Sequence, residues 1–435
     1  MNKGAITVSE HVDGELRDFA LYTIFSRAIP SMIDGFKPSQ RKAVYTATQV
    51  ARNKKIKTVA MTGYSFPISN FHHGDLSMSE TIVSLAAPHS NNIPILEGEG
   101  TFGSRLVPDA ASPRYTEVGL SKQFDKFFPD TEICPENPDP EYPEPLNYLP
   151  IIPWVLLNGV KGIATGFACT ILPRSVDTLV QLCTDYMSLK PLKSHVEPSF
   201  PFFNGTVAAE EKSWLVSGTV ARTAPTKVTI TELPIGYDRE KYIVVLHKLE
   251  DAGTILSFKD ECSKKGFQFA VTLPRSSKNF TDEDLIKKLK LTKRYTDNLT
   301  VINQHGELKI YDTVADLVKD FCDYRLSKYA DRYAYWIARD TKKRDELSER
   351  VRFCNLVLNG AIVFKNNTKK EVLASMSKQK FSPEHRTKFI DLPIHSITKD
   401  AIARLQKEIL ELEKAITTWK NIDIRKQYLK ELQAL

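Results

Sequence analysis

The sequence of 435 residues predicts a helix-rich α+β fold in which a strand-rich segment separates two helical ones. Helical spacing and capping signals dominate roughly the first 155 residues, an alternating apolar pattern occupies about 200–315, and a helical pattern returns from Val314. A chain of this length is long enough for two or three domains. We predict three, spanning 1–175, 176–313 and 314–435.

The composition excludes several classes of protein. Apolar residues make up 42% and charged residues 26% of the chain, as in a globular protein with an ample core. The longest apolar run, 151–157, is much shorter than the ~20 residues of a membrane-spanning helix, and the start at Met1 shows no secretory leader. Six cysteines are scattered without a Cys-x-x-Cys pair. We therefore expect a cytoplasmic protein with reduced, structural thiols and neither a disulfide framework nor a zinc site.

Positive charge is concentrated near the N-terminus. The net charge is +7, but the segment 35–74 contains no carboxylate. Its basic residues are Lys37, Arg41, Lys42, Arg52, Lys54, Lys55 and Lys57. Such a local field attracts a polyanion, so nucleic acid is the first partner to consider. A solvated basic face is the alternative.

Capping signals predict the helices of the first domain. Thr7 begins a capping box before a helix that extends to about Ser26, and Pro38 suits the first turn of a helix over 40–52. A third helix is predicted to begin near Gly74. Two helices separated by a turn would form a helix-turn-helix arrangement.

The segment 129–145 is rich in proline and acidic residues and is predicted to run extended over the surface, without helix.

The second domain is predicted from apolar residues that alternate. The period of two is clearest in 267–273 and recurs at Val228 and Ile230. The apolar pairs at 301–302 and 308–310 flank Gln304-His305-Gly306, as the strands of a hairpin flank its turn.

The third domain has the spacing of long helices. Its first apolar series has helical spacing, and the second has the spacing of a coiled-coil seam. The first series is Leu326, Tyr329, Tyr333 and Trp336, and the second is Ile402, Leu405, Ile409, Leu412, Ile416 and Trp419. Two long helices are predicted to pair antiparallel, with 350–396 as a small helical knob suited to self-association. An ordinary helical bundle is the alternative.

Arg114-Tyr115 is the candidate catalytic pair. A tyrosine with a pKa near ~10 is a poor nucleophile, but a neighbouring guanidinium favours the phenolate and binds phosphate. Most tyrosines are packing residues, and the dipeptide alone does not exclude that alternative. Its context favours phosphate chemistry, because the glycine-bearing loop Phe102-Gly103-Ser104 and the helix start at His73-Gly74-Asp75 precede it.

These motifs resemble the cleavage domain of type IIA DNA topoisomerases, the family that includes the DNA-cleaving subunit of DNA gyrase. The matching segments are Ser26-Arg27-Ala28-Ile29-Pro30, Asp34-Gly35-Phe36-Lys37-Pro38-x-x-Arg41, His73-Gly74-Asp75, Thr81-Ile82-Val83, Gly100-x-Phe102-Gly103-Ser104, Arg114-Tyr115-Thr116-Glu117, the stretch from Asn158 to Gly166 and, more weakly, Ile230-Thr231-Glu232-Leu233-Pro234. The resemblance implies a winged-helix DNA-cleavage domain, a strand-rich tower domain, and a long antiparallel coiled coil with a helical C-gate knob.

The resemblance also implies roles for individual residues. Tyr115 falls on the nucleophile that forms a 5′-phosphotyrosyl link, and the further catalytic positions are Arg114, Arg27 and His73. The DNA-binding positions are Lys37, Arg41, Lys42, Ser104 and Ile163. Ile163 falls on an aliphatic wedge that intercalates between base pairs and bends the duplex, although without the resemblance a buried strand residue would be preferred. The role of His72 stays open.

One departure concerns drug binding. Bacterial relatives hold quinolones through a serine and an acid at the positions of Leu76 and Glu80, and Leu76 has no hydroxyl. The resemblance therefore implies quinolone resistance relative to bacterial gyrase.

The sequence lacks an Asp-x-Asp cluster with a partnering Glu in its N-terminal half, and it lacks a phosphate-binding Gly-x-x-x-x-Gly-Lys-Ser/Thr loop. The resemblance implies that Mg²⁺ is held mainly by a partner subunit, which also binds ATP, and that this chain forms a homodimer through the C-gate and the cleavage domain. The expected substrate is double-stranded DNA, which the enzyme would relax and decatenate. The expected location is the cytoplasm, which would be that of a host cell if the chain is phage-encoded. Since the chain ends soon after the coiled coil, gyrase-type wrapping is not expected.

Two other classes of protein remain as alternatives. A non-catalytic winged-helix protein with a coiled-coil dimeriser would use Tyr115 for packing alone. The other alternative is a different DNA enzyme with a catalytic tyrosine. A tyrosine recombinase needs arginine and histidine residues around a C-terminal tyrosine, and Tyr428 has no such neighbours in the sequence. A rolling-circle relaxase needs a metal-binding His-hydrophobic-His triplet, which the adjacent His72 and His73 do not form.

Overall fold

The structure is a computed structural model that describes residues 7–393 and 396–435. The first six residues, on which the expectation about a secretory leader depends, lie outside the described residues. The chain forms two compact units: the larger contains the described residues up to Arg325 together with Leu429–Leu435, and the smaller is Leu326–Tyr428. Among the described residues, no helix is both long and apolar enough to cross a membrane.

The helices account for most of the regular structure. In chain order they are α1 (Val8–His11), α2 (Arg17–Thr23), α3 (Pro38–Val50), α4 (Thr58–Ser69), α5 (Asp75–Ala86), α6 (Phe124–Phe127), α7 (Trp154–Asn158), α8 (Val176–Met187), α9 (Arg239–Asp251), α10 (Asp282–Lys288), α11 (Val314–Leu358), α12 (Lys369–Lys378), α13 (Pro383–Ile390), α14 (Lys399–Lys420) and α15 (Ile424–Gln433).

The strands are short. In chain order they are β1 (Ile56–Lys57), β2 (Leu96–Glu99), β3 (Glu117–Leu120), β4 (Val160–Ile163), β5 (Ala168–Ile171), β6 (Thr206–Ala209), β7 (Trp214–Ser217), β8 (Thr219–Ala224), β9 (Lys227–Glu232), β10 (Ser257–Asp260), β11 (Phe269–Thr272), β12 (Thr292–Tyr295), β13 (Leu299–Ile302) and β14 (Leu308–Tyr311).

The N-terminal helical segment begins where the sequence predicts. Thr7 and Glu10 form a reciprocal capping box, and the helix continues through two π-helical turns, Val12–Leu16 and Ile24–Ala28. It therefore ends two residues beyond the predicted Ser26. Pro38 occupies the first position of α3, and Gly74 is the N-cap of α5, as predicted.

Helix α4 was not predicted. It lies between α3 and α5, so the predicted pair of helices joined by a turn is wrong, and three helices occupy this region. The segment carries Gly63 and Pro67, both unfavourable inside a helix. Thr62, Ser65 and Ser69 return hydrogen bonds from their side chains to carbonyls one turn earlier. These residues gave no capping or periodic signal in the sequence.

A three-stranded antiparallel sheet of order β1-β3-β2 follows these helices. β3 is its central strand, with Val118 opposite both Ile56 of β1 and Gly98 of β2. Because β3 begins directly after Thr116, this sheet fixes the backbone next to the candidate nucleophile.

The strand-rich region predicted over about 200–315 is present. A four-stranded antiparallel sheet, β10-β11-β9-β8, packs with α9 and α10 around a core that includes Ile230, Tyr242 and Phe269. β6, β7 and β12 form a second sheet. The predicted hairpin is formed by β13 and β14, which pair from Leu299–Tyr311 to Ile302–Leu308.

The proline-rich segment 129–145 is mostly irregular, as predicted. It contains one 3₁₀-helical turn, Thr131–Ile133, which corrects the expectation that it would contain no helix. The turn lies between Pro129 and Pro135 and contains no proline itself, so no backbone N–H is missing within it.

Within the smaller unit, α11 and α14 pair antiparallel, as predicted. The rings of Trp336 and Trp419 lie 5.3 Å apart, and the Lys343 ammonium lies 2.8 Å from the Glu408 carboxylate. The order of these contacts reverses along the two helices, which establishes the antiparallel direction. Helices α12 and α13 pack against one end of α11 around Phe353, and the described residues of the predicted knob are therefore helical.

Candidate active site

Tyr115 projects from a rigid base. It ends a turn before β3, its backbone N–H donates to the Ser112 carbonyl at 2.8 Å, and its side chain is 73% exposed. The next residue, Thr116, is fully buried, and its hydroxyl lies 2.8 Å from the hydroxyl of buried Thr58. The Thr58 N–H also donates to the Thr116 carbonyl at 3.0 Å. The phenol therefore faces solvent while the backbone beside it is held at the start of α4.

The glycine-bearing loop passes close to this base. A side chain at Gly100, whose φ is +100°, would approach the Thr116 side chain to 3.3 Å and the Tyr115 carbonyl to 3.6 Å. Gly103 also has a positive φ, and a Cβ there would lie 2.1 Å from the Pro108 carbonyl oxygen. Ser104 is exposed in the same loop, where its hydroxyl accepts a hydrogen bond from the Val107 N–H at 3.2 Å. The hydroxyl hydrogen remains available to an acceptor such as phosphate.

His73 is brought next to the helical segment that carries Arg27. Its Nε2 lies 3.3 Å from the hydroxyl of Tyr22, which stands five residues before Arg27. The ring of Phe71 contacts the His73 ring edge-on at 5.4 Å between centroids. His72 and His73 are both exposed. Arg27 and Arg114 are also exposed, and among the described residues neither has an ion-pair partner. Both guanidinium groups are therefore available to an external anion.

Arg41 is held by a buried carboxylate. Its guanidinium donates to both oxygens of Asp34, at 2.7 and 2.9 Å, and Asp34 is fully buried. Asp34 also accepts hydrogen bonds from the backbone N–H groups of Phe36 and Tyr148, each at 3.0 Å. Although burial opposes it, the neighbouring carboxylate of Asp34 raises the pKa of Arg41. In this structure, Arg41 therefore has an internal partner and does not present a free charge to DNA.

Lys42 is likewise internal. It is 8% exposed, and its ammonium lies 2.8 Å from the Glu144 carboxylate and 2.5 Å from the Ser69 carbonyl. The predicted role of these two cations in contacting the DNA backbone does not fit this arrangement. Sequence analysis missed it because Glu144 lies 102 residues away along the chain.

Carboxylates from elsewhere also pair with three further cations of the basic segment 35–74. Arg52 pairs with Asp125 at 2.5 Å, Lys57 with Glu117 at 2.8 Å, and Lys55 with Glu99 at 3.6 Å. The positive electrostatic field around the segment 35–74 is therefore weaker in the folded chain than the sequence of the segment alone predicts.

Ile163 lies at the end of β4, in the hairpin formed by β4 and β5, which we call the wedge hairpin (160–171). Its side chain is 77% exposed, which excludes the alternative of a buried strand residue. The hairpin closes through the hydrogen bond from the Ala164 N–H to the Phe167 carbonyl at 2.8 Å. Lys37, predicted to contact DNA, donates from its ammonium to the Lys161 carbonyl of this hairpin at 2.7 Å. Burial lowers the pKa of Lys37.

A sequence model of the DNA gyrase/topoisomerase IV A-subunit family matches residues 27–434. The chain belongs to this family. The match confirms the resemblance inferred from the motifs, and the family's proteins are type II DNA topoisomerases. Within the family, this chain is a cleavage and re-ligation subunit.

Individual relatives agree with this assignment. The DNA topoisomerase medium subunit of Enterobacteria phage T4 is 36% identical over 434 residues, which cover 98% of this chain and 97% of that protein. Human DNA topoisomerase 2-alpha is 32% identical over 364 residues, but these cover 80% of this chain and 24% of the human protein. The solved DNA-binding, cleavage and re-ligation domain of Plasmodium falciparum topoisomerase II superposes with a TM-score of 0.90 at 26% identity, covering 97% of this chain and 63% of that one. The predicted fold class is thereby confirmed.

Other residues of this chain that could carry chemistry are the second candidate tyrosine, the cysteines and possible metal ligands. Tyr428, the nucleophile considered for a recombinase-like alternative, is fully buried against the ring of Tyr329 at 5.1 Å. None of the six cysteines forms a disulfide. Within 7–393 and 396–435, no group of three or more His, Cys, Asp or Glu side chains is arranged to hold a metal ion.

Sequence analysis missed two residues of the site. Tyr22 contacts His73, and Thr58 contacts Thr116, yet each pair is separated by more than fifty residues. No local motif marks either residue, because both act through contacts between distant segments.

Proposed function

We propose that this protein cleaves and rejoins both strands of DNA through Tyr115, as part of an ATP-dependent enzyme that relaxes and decatenates DNA. The observation that carries the proposal is the exposed phenol of Tyr115 on a backbone held by the hydrogen bonds between Thr116 and Thr58. The preceding residue, Arg114, is exposed and has no ion-pair partner among the described residues. Attack on phosphorus needs a nucleophile that a large substrate can reach and that the fold holds in place, and Tyr115 has both properties.

The chemistry is a transesterification. The Tyr115 oxygen forms a bond to phosphorus while the bond from phosphorus to the 3′ oxygen of the neighbouring deoxyribose breaks. The phenol proton leaves, the departing 3′ oxygen gains a proton, and the 5′ phosphate stays on the tyrosine. One phosphodiester replaces another, so the reverse attack by the 3′ hydroxyl reseals the strand without an external energy source.

The neighbouring side chains supply charge and proton transfer. Arg114 and Arg27 stabilise the negative charge on the phosphate through charge-assisted hydrogen bonds. We assign to His73, whose Nε2 lies 3.3 Å from the Tyr22 hydroxyl, the role of donating to the phosphate or accepting a proton. Each of these groups is exposed, as contact with a DNA substrate requires.

Ser104 and Ile163 form the proposed DNA contacts. Ser104 offers a hydroxyl to the backbone, and Ile163 inserts between base pairs and bends the duplex. Arg41 and Lys42 are assigned a supporting role, because their internal pairs with Asp34 and Glu144 hold the base of α3.

The proposed assembly contains two copies of this chain and a partner subunit. Two Tyr115 residues, one from each copy, cut opposite strands, and the helical knob of the smaller unit provides the second dimer contact. The partner subunit holds ATP and most of the Mg²⁺ ligands. The name of the T4 relative, a medium subunit, supports an assembly of several subunits.

The test is covalent trapping. End-labelled DNA is incubated with the protein, its partner and Mg²⁺, denatured, and the modified residue is mapped by mass spectrometry. We expect the nucleotide on Tyr115 and no adduct with Tyr115→Phe, which removes the nucleophilic oxygen alone. Tyr64→Phe is the matched control, since Tyr64 is also exposed, and it should retain the adduct. A nucleotide on another side chain, or adducts that survive in Tyr115→Phe, would overturn the proposal.

A further inference from the structure

We propose that Lys37 is a positioning residue, which fixes the wedge hairpin so that Ile163 can bend DNA, and that its main role is not to neutralise a phosphate. The inference rests on the proposed wedge role of Ile163. Three features of the structure support it.

The first feature is the need for an anchor. The wedge hairpin has two strands of four residues each, and a two-stranded hairpin needs contacts with the rest of the fold to be stable in water. On the β5 side, Thr170 pairs with the backbone of Asn298, so it is β4, the strand that carries Ile163, that needs a further anchor. Its exposed Ile163 must separate stacked base pairs, and the stacked bases resist that separation. The same force acts back on the hairpin, so insertion succeeds only if the hairpin does not yield.

The second feature is an anchor beneath the hairpin. Cys169 is fully buried in a small apolar cluster with Ile24 and Ile29 from the segment that carries Arg27. Gly162 lies so close to this segment that a Cβ on it would come within 2.1 Å of the Ala28 carbonyl oxygen. This anchor fixes the face of the hairpin opposite to Ile163, since neighbouring residues of a strand point to opposite faces.

The third feature is the Lys37 ammonium itself. Lys37 is the N-cap of α3, an unfavourable place for a positive charge because the helix dipole is positive there. Among the described residues it has no carboxylate partner, and its hydrogen bond goes to the Lys161 carbonyl at 2.7 Å. This bond joins two points 124 residues apart and reaches the hairpin two residues before Ile163.

Together these contacts hold the hairpin from two sides. The apolar cluster fixes its inner face, and Lys37 fixes the backbone of β4. Without the ammonium the apolar anchor remains, so the hairpin should stay folded but move more freely. DNA binding should then persist, because phosphate contacts made by other residues supply most of the affinity. Bending and cleavage should fall.

The experiment compares Lys37→Met with Lys54→Met in the complete complex. Lys54 belongs to the same basic segment, is exposed and has no ion pair among the described residues. Both variants lose one positive charge, so their difference isolates the contact with Lys161. DNA bending is measured by energy transfer between labelled DNA ends, cleavage by single-turnover trapping, and phosphate contacts by the slope of log affinity against log salt.

We expect Lys37→Met to reduce bending and the cleavage rate at least tenfold, with a salt slope equal to that of Lys54→Met. Lys37→Arg should restore part of both, because a guanidinium can also donate to the carbonyl. A slope that falls by a further ~0.9 in Lys37→Met, with bending retained, would overturn the proposal in favour of a direct phosphate contact. Circular dichroism and urea denaturation establish that each variant is folded.

Ile163→Ala separates this inference from the proposed function. If it leaves bending unchanged, the wedge role fails and the Lys37 proposal fails with it. If Ile163→Ala abolishes bending while Lys37→Met bends DNA as well as Lys54→Met does, the Lys37 proposal alone is overturned.

Discussion

Thr58 and Thr116 share a hydrogen bond of 2.8 Å between two hydroxyl groups that are fully buried. Thr58 is the first residue of α4, and Thr116 follows Tyr115, so the bond ties the start of a helix to the backbone of the candidate nucleophile. A second bond, from the Thr58 N–H to the Thr116 carbonyl, parallels it.

Removing one hydroxyl of this pair should affect both stability and cleavage. Thr58→Val leaves the Thr116 hydroxyl buried without a partner, which costs about 1–3 kcal/mol. We expect that loss in urea denaturation, and a slower single-turnover cleavage rate at saturating DNA because Tyr115 is less well held. The double variant Thr58→Val/Thr116→Val should recover most of the stability, because neither hydroxyl then remains. Thr417→Val, in the smaller unit, is the control. Unchanged stability and cleavage in Thr58→Val would contradict this account.

Lys42 should behave as a structural residue. Lys42→Met leaves the buried Glu144 carboxylate unpaired, and breaking a buried pair costs about 3–5 kcal/mol. Urea denaturation should show this loss, whereas the exposed Lys54→Met should change stability little. Replacing both partners, Lys42→Met/Glu144→Leu, should restore stability. Normal stability, together with a slope of log affinity for DNA against log salt that falls by ~0.9, would contradict this prediction and indicate that Lys42 contacts a DNA phosphate.

Leu76 should make the enzyme more resistant to quinolones than bacterial gyrase is. It lies in the first turn of α5 and is 69% exposed, so the position is open but offers no hydroxyl to a metal-bound water. We expect weaker drug-stimulated cleavage than with bacterial gyrase at the same drug concentration. Leu76→Ser should increase it, and Leu76→Ala should not. Trapping of the unmodified enzyme at the level of bacterial gyrase would show this prediction to be wrong.

The cysteines should react slowly in the folded protein. Burial raises the pKa of Cys134 to about 12 and that of Cys262 to about 11. Since the thiolate is the reactive form, a rise in pKa from ~8.5 lowers the thiolate fraction at pH 8 by a factor of roughly 200 for Cys262 and roughly 2,000 for Cys134. Iodoacetamide at pH 8 should therefore modify either thiol far more slowly than in urea, and raising the pH should accelerate the native reaction. Equal rates in native and unfolded protein would contradict the prediction.

The sequence predicted those elements whose signals are local. Pro38 at the first position of α3, Gly74 before α5, and the turn at Gly306 each restrict the backbone within a few residues. The antiparallel helix pair was also predictable, because apolar spacing along α14 specifies a single contact face. Helix α4 was not predicted because Gly63 and Pro67 inside it both disfavour a helix.

The site itself was predictable only in part. Tyr115, Arg114 and Ile163 were predictable because each lies in a short motif of consecutive residues that can be recognised in the sequence. The internal pairs of Arg41 and Lys42 depend on Asp34 and Glu144, and a count of charges along 35–74 cannot include partners outside that window. Charge patterns predict which residues can attract DNA, but the fold decides which of them remain at the surface.

The hydrogen bonds that Asp34 accepts should affect which mutations of the gene are tolerated. Its single carboxylate receives donors from the loop before α3, from α3 itself, and from the backbone that follows the proline-rich segment. A neutral or longer replacement disturbs all three at once, in a place that solvent does not reach. Heat-sensitive alleles of the gene should therefore concentrate at this codon, while neighbouring codons for exposed lysines tolerate most changes.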